Sequence, residues 1–338
     1  MYLSKNTYYF SKAYQKSLSL KDFHKLDTTP ETVKRNMSSA TLYKDLYDEE
    51  LCTVSFSTPR KKTLVHNVTL FTTEHVMKLG RLGNMMFRYA GNLGIARKQG
   101  RQMFTEPGTD LGQTFKLTHE GVHEEAETWP VITEKNLLDF DSKLMNLPLR
   151  NLRIDGYLQS FCCFAEIIDE VRQEFTFQDH IAVVAANILR EVYLNYNASM
   201  IVGVHVRRGD FLMTEWNSLG FTVPRKSYFT KAFNLMKSKF PGRTIIFIVA
   251  SDDLPWCKEN LSAEDVIVMP PASPAVHLAV LSSCEHVIMS SGTYGWWAGW
   301  LANGHVIYYT GFLPKGTFQG NLLNKRTYYP RQWIGVGD

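Results

Sequence analysis

Two adjacent arginines end an apolar stretch of the sequence, "MIVGVHVRRGDF", and their position is the first feature that points to chemistry. Arg207 and Arg208 directly follow a run of residues that is typical of a buried strand. Guanidinium groups can bind the oxygens of a phosphate or diphosphate in a forked geometry, and Asp210 follows closely enough to orient them. The alternative is a solvated turn in which Asp210 pairs with an arginine, and this stretch alone does not decide between the two.

Polar residues also follow two further strand-like runs in the same half of the chain. Asp252 and Asp253 come at the end of "TIIFIVASDD", and Ser291, Gly292 and Thr293 follow "EHVIMS" where a helical pattern begins. The carboxyl ends of parallel strands meet at one sheet edge, where such folds bind ligands, and a helix start with free N–H groups suits an anion. We therefore predict an anion site here, the alternative for the last cluster being an ordinary helix N-cap.

Three other residues are candidates for the same site. Arg81 and Asn84 lie in "GRLGN", which ends a strand-like run and opens a helical one. This segment does not match the G-x-G-x-x-G fingerprint, so a turn that needs its glycines for backbone freedom is the alternative. His205 lies inside its strand, on the same face as Arg207 by strand alternation, where a packed core histidine is the alternative.

A metal site is not predicted. Asp139 and Asp141 form an Asp-x-Asp of the kind that can hold a divalent ion on a diphosphate, but this common tripeptide lies in a polar stretch outside the predicted sheets. The five cysteines lack the spacing of a zinc site, and their odd number leaves at least one free or intermolecular thiol. We predict neither a metal nor another cofactor.

The patterns around these residues predict an α/β protein. From residue 199 onward five β-rich runs alternate with helical patterns, which indicates a parallel, Rossmann-like sheet covered on both faces. Residues 66–106 read as a β-turn-α-β unit, and residues 107–150 are rich in loops. We predict an irregular stem or linker without chemistry at residues 1–65, an α/β domain at 66–198 and a ligand-binding domain at 199–338.

The composition excludes several classes of protein. With 338 residues, 44% of them hydrophobic, the chain can bury a proper core. The net charge is only +4, and the basic and acidic residues are mixed along the chain, so the basic stripe typical of a nucleic-acid surface is missing. No apolar run reaches the roughly 18 residues of a membrane span, and the start lacks a signal-peptide core. Four glycosylation sequons, at Asn36, Asn67, Asn197 and Asn260, nevertheless favour a secretory protein. A truncated N-terminus or a gene model without its first exon would reconcile the two.

Three motifs in order, "GRLGNMMFRYA", "GVHVRRGDF" and "SSGTYGWWAGWLA", resemble the GDP-fucose-dependent fucosyltransferases, above all the galactoside α-1,2 group. The resemblance spans about residues 79–337. It implies a GT-B fold with two Rossmann-like domains facing across a cleft, and a metal-independent, inverting transfer of L-fucose from GDP-β-L-fucose to the 2-hydroxyl of a terminal galactose. It also implies a Golgi enzyme that faces the lumen, acts on a glycan of a glycoprotein or glycolipid, and is held as a type II protein by an N-terminal membrane anchor that this sequence does not contain.

The resemblance also implies roles for the candidate residues. Arg207 and Arg208 would hold the diphosphate, with Asp210 orienting them, and His205 would contact the guanine or ribose side of the donor. The remaining donor-binding candidates are Asp252 and Asp253 at the nucleoside, Ser291, Gly292 and Thr293 at the phosphate, and Arg81 and Asn84 from the other domain.

Two positions mark this chain off within the resemblance. His277, a further donor-binding candidate, stands where most relatives have Asp, a position that would read guanine. Glu215 matches a carboxylate of the α-1,6 group and could take the acceptor's proton, although a solvated loop carboxylate is the alternative and the departing phosphate could serve instead. The alternatives for the function are another linkage, a protein O-fucosyltransferase, or a catalytically diverged GDP-sugar or glycan binder.

Overall fold

The structure, a computed structural model, describes Cys52, residues 69–72 and residues 80–338. The predicted stem, apart from Cys52, and the sequons at Asn36 and Asn67 lie outside these residues. Within the described part of the chain, strands form a four-stranded and a six-stranded sheet, and every strand pair in them is parallel. The predicted α/β class is confirmed.

The four-stranded sheet lies in the first half of the chain. Its strands are β1 (Thr69–Thr72), β2 (Gln102–Thr105), β3 (Val131–Thr133) and β4 (Leu152–Asp155), in the order β2-β1-β4-β3. Its helices are α1 (Leu82–Gln99), α2 (Asp110–Thr114), α3 (Ile168–Glu174) and α4 (Asp179–Tyr196). Helix α1 connects β1 to β2 and ends at Gly100, which adopts the left-handed conformation with φ 66°. The predicted β-turn-α-β unit is therefore present.

The six-stranded sheet lies in the second half. Its strands are β5 (Met200–Val206), β6 (Ile245–Ser251), β7 (Val266–Val268), β8 (His286–Met289), β9 (Val306–Tyr309) and β10 (Ile334–Val336). The intervening helices are α5 (Thr214–Ser218), α6 (Lys226–Lys239), α7 (Leu254–Asn260), α8 (Pro274–Ser282), α9 (Thr293–Ala302), α10 (Phe318–Leu322) and α11 (Lys325–Tyr328). The five predicted strands are all present. Strand β10 was not predicted, because three residues are too few to show a pattern.

The strand order of this second sheet is β10-β9-β8-β5-β6-β7, which is the order of the dinucleotide-binding Rossmann fold. The chain runs outward to one side from β5 through β6 to β7, and then returns to start the other side at β8. Strands β5 and β8 are therefore neighbours at the point where the order reverses. In such sheets the crevice above this point is where ligands bind.

Burial on both faces explains why these strands read as continuous apolar runs. All seven residues of β5 are buried, as are six of the seven in β6. On helix α9 the side chains of Trp296 and Trp297 are fully buried and Trp300 is 6% exposed, so these three tryptophans pack in the core.

The N-termini of α1 and α9 meet where the two sheets face each other. A Cβ atom on Gly83 would lie only 2.6 Å from the backbone nitrogen of Tyr294 and 2.8 Å from the carbonyl carbon of Thr293. Gly83 lies inside α1 and not in a turn before it. For Gly83 the alternative of a turn that needs backbone freedom is therefore wrong: this glycine permits the close approach of two helices. The result is the GT-B arrangement, with the carboxyl edges of two parallel α/β units opposed.

A disulfide joins Cys52 to Cys162, just after the four-stranded sheet. Cys163, Cys257 and Cys284 are free and buried. The expectation of at least one free thiol is consistent with this pairing.

Candidate functional site

Arg207 lies at the reversal point of the second sheet. Its backbone N–H donates to Oγ of Ser290 at 2.7 Å, which ties the end of β5 to the end of β8. Its guanidinium pairs with Asp210, lies 3.4 Å through Nε from Oδ2 of Asp252, and stands 4.8 Å above the ring of Phe211. Two carboxylates and an aromatic face therefore fix this positive charge where the fold places a ligand.

Arg208 is held from the opposite side, by the turn after β6. Its backbone N–H donates to Oδ1 of Asp252 at 2.8 Å, and its Nε donates to Oδ2 of Asp253 at 3.1 Å. The guanidinium carbon lies 4.0 Å from the ring centroid of Trp256, within the range of a cation–π contact. Asp252 and Asp253 therefore hold the arginines, a contact the sequence did not predict for them. Trp256, three residues after Asp253, was missed altogether.

Arg81 brings positive charge to this site from the first domain. Its Nη2 donates to Oδ2 of Asp210 at 2.8 Å, while Arg207 uses the other oxygen of the same carboxylate. The side chain of Arg81 is 70% exposed. An ion pair that is this open to water contributes little stability, about 0–1 kcal/mol, so an incoming anion can replace it at small cost.

Asn84 and Thr293 meet across the two helix N-termini. The Thr293 hydroxyl donates to Oδ1 of Asn84 at 2.7 Å, and Nε2 of Gln159 donates to the same oxygen at 3.2 Å. The side-chain nitrogen of Asn84, Nδ2, makes no hydrogen bond to any residue that the structure describes. Two donors on its oxygen therefore fix the rotamer of this amide and leave its NH2 group for another partner.

The start of α9 is not capped by the side chain of a serine or threonine that the structure describes. Gly292, with φ 85°, is the N-cap residue, and no side chain of a described residue caps the first turn. The hydroxyl of Ser291 is turned away and donates to the backbone oxygen of Thr222 at 3.1 Å. The alternative of an N-cap by serine or threonine is therefore wrong, and the anion site stays a prediction, which the free N–H groups and the helix dipole would suit.

The two candidate histidines are buried. Desolvation, with Arg207 adding its positive charge, lowers the pKa of His205 to about 3, so its ring is neutral at physiological pH. Nδ1 of His205 has no hydrogen-bond partner among the described residues, and the ring lies against Tyr294 and Gly295. Burial also lowers the pKa of His277, whose Nε2 lies 3.0 Å from the backbone oxygen of Pro270.

Glu215 lies in the exposed helix α5, shortly after Asp210. Its carboxylate makes no ion pair or hydrogen bond with a described residue. It is therefore not part of the charged network of Arg207, Arg208, Asp210 and the two aspartates after β6.

A buried carboxylate in the first domain was missed by the sequence analysis. Glu134 directly follows β3, and its Oε2 accepts the backbone N–H groups of Tyr157 and Leu158 at 2.9 and 3.0 Å. These residues belong to the segment after β4 that also carries Gln159. The rule that found Asp252 and Asp253 at the carboxyl end of a strand did not reach Glu134, because the three residues of β3 are too few to show a strand pattern in the sequence.

The Asp-x-Asp of the first domain serves the local fold. Oδ1 of Asp139 accepts hydrogen bonds from Asn324 at 2.9 Å and Thr327 at 2.7 Å, and Asp141 caps a short 3-10 helix by accepting the N–H of Lys143. Among the described residues no cluster of three or more His, Cys, Asp or Glu side chains is placed to hold a metal ion. No helix in the same residues is long and apolar enough to span a membrane.

Two of the four sequons, at Asn197 and Asn260, lie within the described residues. Asn197 is exposed and ends helix α4 in the left-handed conformation, with φ 47°. Asn260 is half-buried and its amide donates to the backbone oxygen of Trp256 at 3.0 Å. Of the two, Asn197 is the more accessible to a glycosylating enzyme.

Comparisons with known proteins agree with this geometry. The model of glycosyl transferase family 11 matches residues 41–337. The chain is 33% identical over 270 residues to galactoside alpha-(1,2)-fucosyltransferase 2 of Sus scrofa, covering 76% of this chain and 78% of the relative. It is 31% identical over 283 residues to galactoside alpha-(1,2)-fucosyltransferase 1 of Ateles belzebuth, covering 80% and 76%.

Solved structures of fucosyltransferases are more distant. Arabidopsis thaliana FUT1 in complex with GDP matches with a TM-score of 0.48 at 12% identity, covering 94% of this chain and 81% of that one. The alpha-1,6-fucosyltransferase NodZ, soaked with GDP-fucose, matches with a TM-score of 0.46 at 14% identity, covering 72% and 95%. The sequence matches carry the assignment: the chain belongs to glycosyl transferase family 11, the family of the galactoside α-1,2-fucosyltransferases.

Proposed function

We propose that this protein is a galactoside 2-α-L-fucosyltransferase that transfers L-fucose from GDP-β-L-fucose to the 2-hydroxyl of a terminal galactose. The observation that carries the proposal is the placement of Arg207 at the reversal point of the second sheet, beside the uncapped start of α9. Both features suit a diphosphate. Membership of family 11 gives that diphosphate a sugar nucleotide identity.

The charges account for the departure of GDP. As the bond between fucose C1 and the β-phosphate oxygen breaks, negative charge grows on the diphosphate. Arg207 and Arg208 are preorganised by carboxylates and aromatic faces, so they can stabilise that charge without reorganising. We propose that they do the work a divalent ion does in other glycosyltransferases, and that no cofactor is needed.

The acceptor oxygen attacks from the opposite face of the sugar, so the β-linked donor gives an α-linked product. Galactose O2 forms the new bond to C1, and its proton must pass to a base. Glu215 is the side-chain candidate, and an oxygen of the departing diphosphate is the alternative. The exposed position of Glu215 in α5 leaves it accessible to an acceptor but without a partner that would fix it.

The proposed setting is the Golgi lumen, with the catalytic domain held at the membrane as a type II protein. Two observations support a secretory protein. The disulfide between Cys52 and Cys162 persists in oxidising compartments, and the exposed Asn197 carries a sequon. The acceptor would be a galactose-terminated glycan of a glycoprotein or a glycolipid.

Isothermal titration with GDP, with and without EDTA, tests the donor assignment. We expect GDP to bind and EDTA to leave its affinity unchanged. A protein that does not bind GDP would remove the donor assignment, and binding that EDTA abolishes would remove the metal-free mechanism.

A glycan array with labelled GDP-fucose then tests the reaction. Label on glycans that end in galactose, lost when the 2-hydroxyl is absent, supports the α-1,2 assignment. Label on other positions or on unglycosylated protein would replace it with another linkage or a protein acceptor. GDP binding without transfer to any acceptor would identify a diverged binder.

The Glu215→Gln variant separates the two proton acceptors. A general base contributes about 10²–10⁴-fold to rate, so a loss of that size in kcat with unchanged GDP affinity would identify Glu215 as the base. Near-normal turnover would leave the departing diphosphate as the proton acceptor.

A further inference from the structure

The segment that follows β4 has a strained backbone. Leu158 is fully buried and adopts φ 52°, in the left-handed region that a branched apolar side chain rarely occupies. Ser160 anchors the end of the segment, since its hydroxyl donates to the backbone oxygen of Thr327 at 2.9 Å. A conformation of this kind persists only where the surrounding structure enforces it.

The carboxylate of Glu134 holds the left-handed backbone of Leu158 in place. Its Oε2 accepts the N–H groups of Tyr157 and Leu158, so a single carboxylate oxygen fixes the two peptide groups at the strained position. Gly156 permits the approach, because a Cβ atom there would lie 2.5 Å from the Cβ of Glu134. The side chain of Glu134 is therefore closely fitted to this segment.

The next residue in the segment reaches the donor site. Gln159 is buried, and its Nε2 donates to Oδ1 of Asn84. The same oxygen accepts the hydroxyl of Thr293, at the start of α9. With Oδ1 occupied by two donors, Nδ2 of Asn84 is the group that the amide presents to the cleft.

We propose that Glu134 is a positioning residue for the donor site, which acts through Gln159 to orient the Asn84 amide toward the diphosphate. This inference rests on the proposed function. It adds a residue of the first domain that contacts neither Arg207 nor Arg208 and acts on the site only through Gln159 and Asn84.

The nature of the side chain supports this role. A buried carboxylate is costly unless it is well bonded, and an apolar residue would fill the same volume without that cost. Desolvation by burial raises the pKa of Glu134 to about 7, although the hydrogen bonds from the N–H groups of Leu158 and Tyr157 oppose the shift. The two hydrogen bonds that Glu134 accepts from the segment explain why a carboxylate occupies this buried position despite the cost of desolvation.

A double-mutant cycle on GDP affinity tests the inference. Glu134→Ala and Gln159→Leu should each weaken GDP binding by about tenfold, the scale of one hydrogen bond to a charged group. If Glu134 acts through Gln159, the double variant should be no weaker than either single variant. Losses that multiply in the double variant would overturn the proposal, because Glu134 would then act independently of Gln159.

Two further variants separate positioning from general destabilisation. Glu134→Gln retains an acceptor oxygen and should restore most of the affinity lost in Glu134→Ala. Glu174→Gln is the matched control, because Glu174 is also buried and also accepts a backbone N–H, that of Thr118 at 2.8 Å, but its hydrogen bonds go to Tyr89 and Thr118 and not to the segment that carries Gln159. It should change the melting temperature without changing GDP affinity.

The outcomes also separate this inference from the proposed function. Failure of the wild-type protein to bind GDP would remove the proposed function itself. Wild-type binding with unchanged affinity in folded Glu134→Ala and Gln159→Leu would remove only the role of Glu134.

Discussion

Asp210 joins the two domains by accepting, through Oδ2, a hydrogen bond of 2.8 Å from Nη2 of Arg81. Its other oxygen holds Arg207, so one carboxylate pairs with two arginines that come from opposite sides of the cleft. A bound diphosphate offers the same arginines several oxygens in place of one carboxylate. Asp210 alone leaves one positive charge of this pair unmatched, and a diphosphate would supply the further negative charge.

Replacing Arg207 with Ala should abolish transfer while the fold survives. The guanidinium belongs to the residue that directly follows β5 at the reversal point, and its loss would remove at least one charge-assisted hydrogen bond, about 1.5–3 kcal/mol, from GDP binding. We therefore expect GDP affinity to fall by about tenfold or more in a titration. Arg97→Ala is the control, since Arg97 pairs with Glu170 within the first domain. Near-normal transfer by Arg207→Ala would remove Arg207 from its proposed role.

Replacing Gly83 with Ala should destabilise the protein, although alanine is normally the better helix former by about 1 kcal/mol. The new methyl group would meet the backbone of Thr293 and Tyr294, and neither can move without shifting α9. We expect a cost of about 1–3 kcal/mol in the free energy of unfolding, with weaker GDP binding. Gly80→Ala is the control, because its nearest contact would be 3.4 Å from Asn84 Cβ. Equal stability of the two variants would contradict the close approach.

The Glu134→Gln variant should change how stability depends on pH. Burial, assisted by Asp141 and Asp155, raises the pKa of Glu134 from 4.5 to about 7, while two backbone N–H groups oppose the shift. Because the folded pKa lies above the unfolded one, this contribution to stability is complete below about pH 4.5 and is lost as the pH rises through 7.

Glutamine does not titrate, so the wild-type protein should lose on the order of 3 kcal/mol relative to Glu134→Gln between pH 4.5 and 8. Urea unfolding of both proteins at several pH values measures the difference. A difference that stays constant over this range would show that Glu134 keeps an ordinary pKa.

Reduction of the disulfide should lower the melting temperature. Cys52 and Cys162 are 110 residues apart, and a cross-link over a loop of this length typically contributes about 2–4 kcal/mol. Dithiothreitol should destabilise the wild-type protein and leave Cys52→Ser unaffected. An equal response of both proteins would mean that the reductant acts elsewhere.

The second domain was predictable from the sequence because its signals are local. Each strand from β5 to β9 is an apolar run followed by a polar turn, and the rule that ligands meet strand carboxyl ends placed Arg207, Asp252 and Thr293 along one edge. The family resemblance added the identity of the ligand. The role of Asp210 in orienting arginines agrees with its contacts to both Arg81 and Arg207.

The first domain was less predictable because its signals are not local. Strand β3 has three residues and is defined only by its pairing with β4, about 20 positions further along the chain. Without β3 there was no reason to place Glu134 at a strand end, and so its contact with the segment around Leu158 was hidden. The partnership of Gln159 with Asn84 joins residues 75 positions apart, which no motif records.

The hydrogen bond between Asn84 and Thr293 spans 209 positions of the chain. During synthesis the first domain emerges well before α9, so the hydrogen bond between Asn84 and Thr293 cannot form until α9 has been synthesised. A chain that has completed only its first domain exposes the glycine-bearing start of α1 to other proteins. We therefore expect the nascent protein to depend on chaperones until α9 docks, and GDP-fucose to favour the mature fold by binding only after that step.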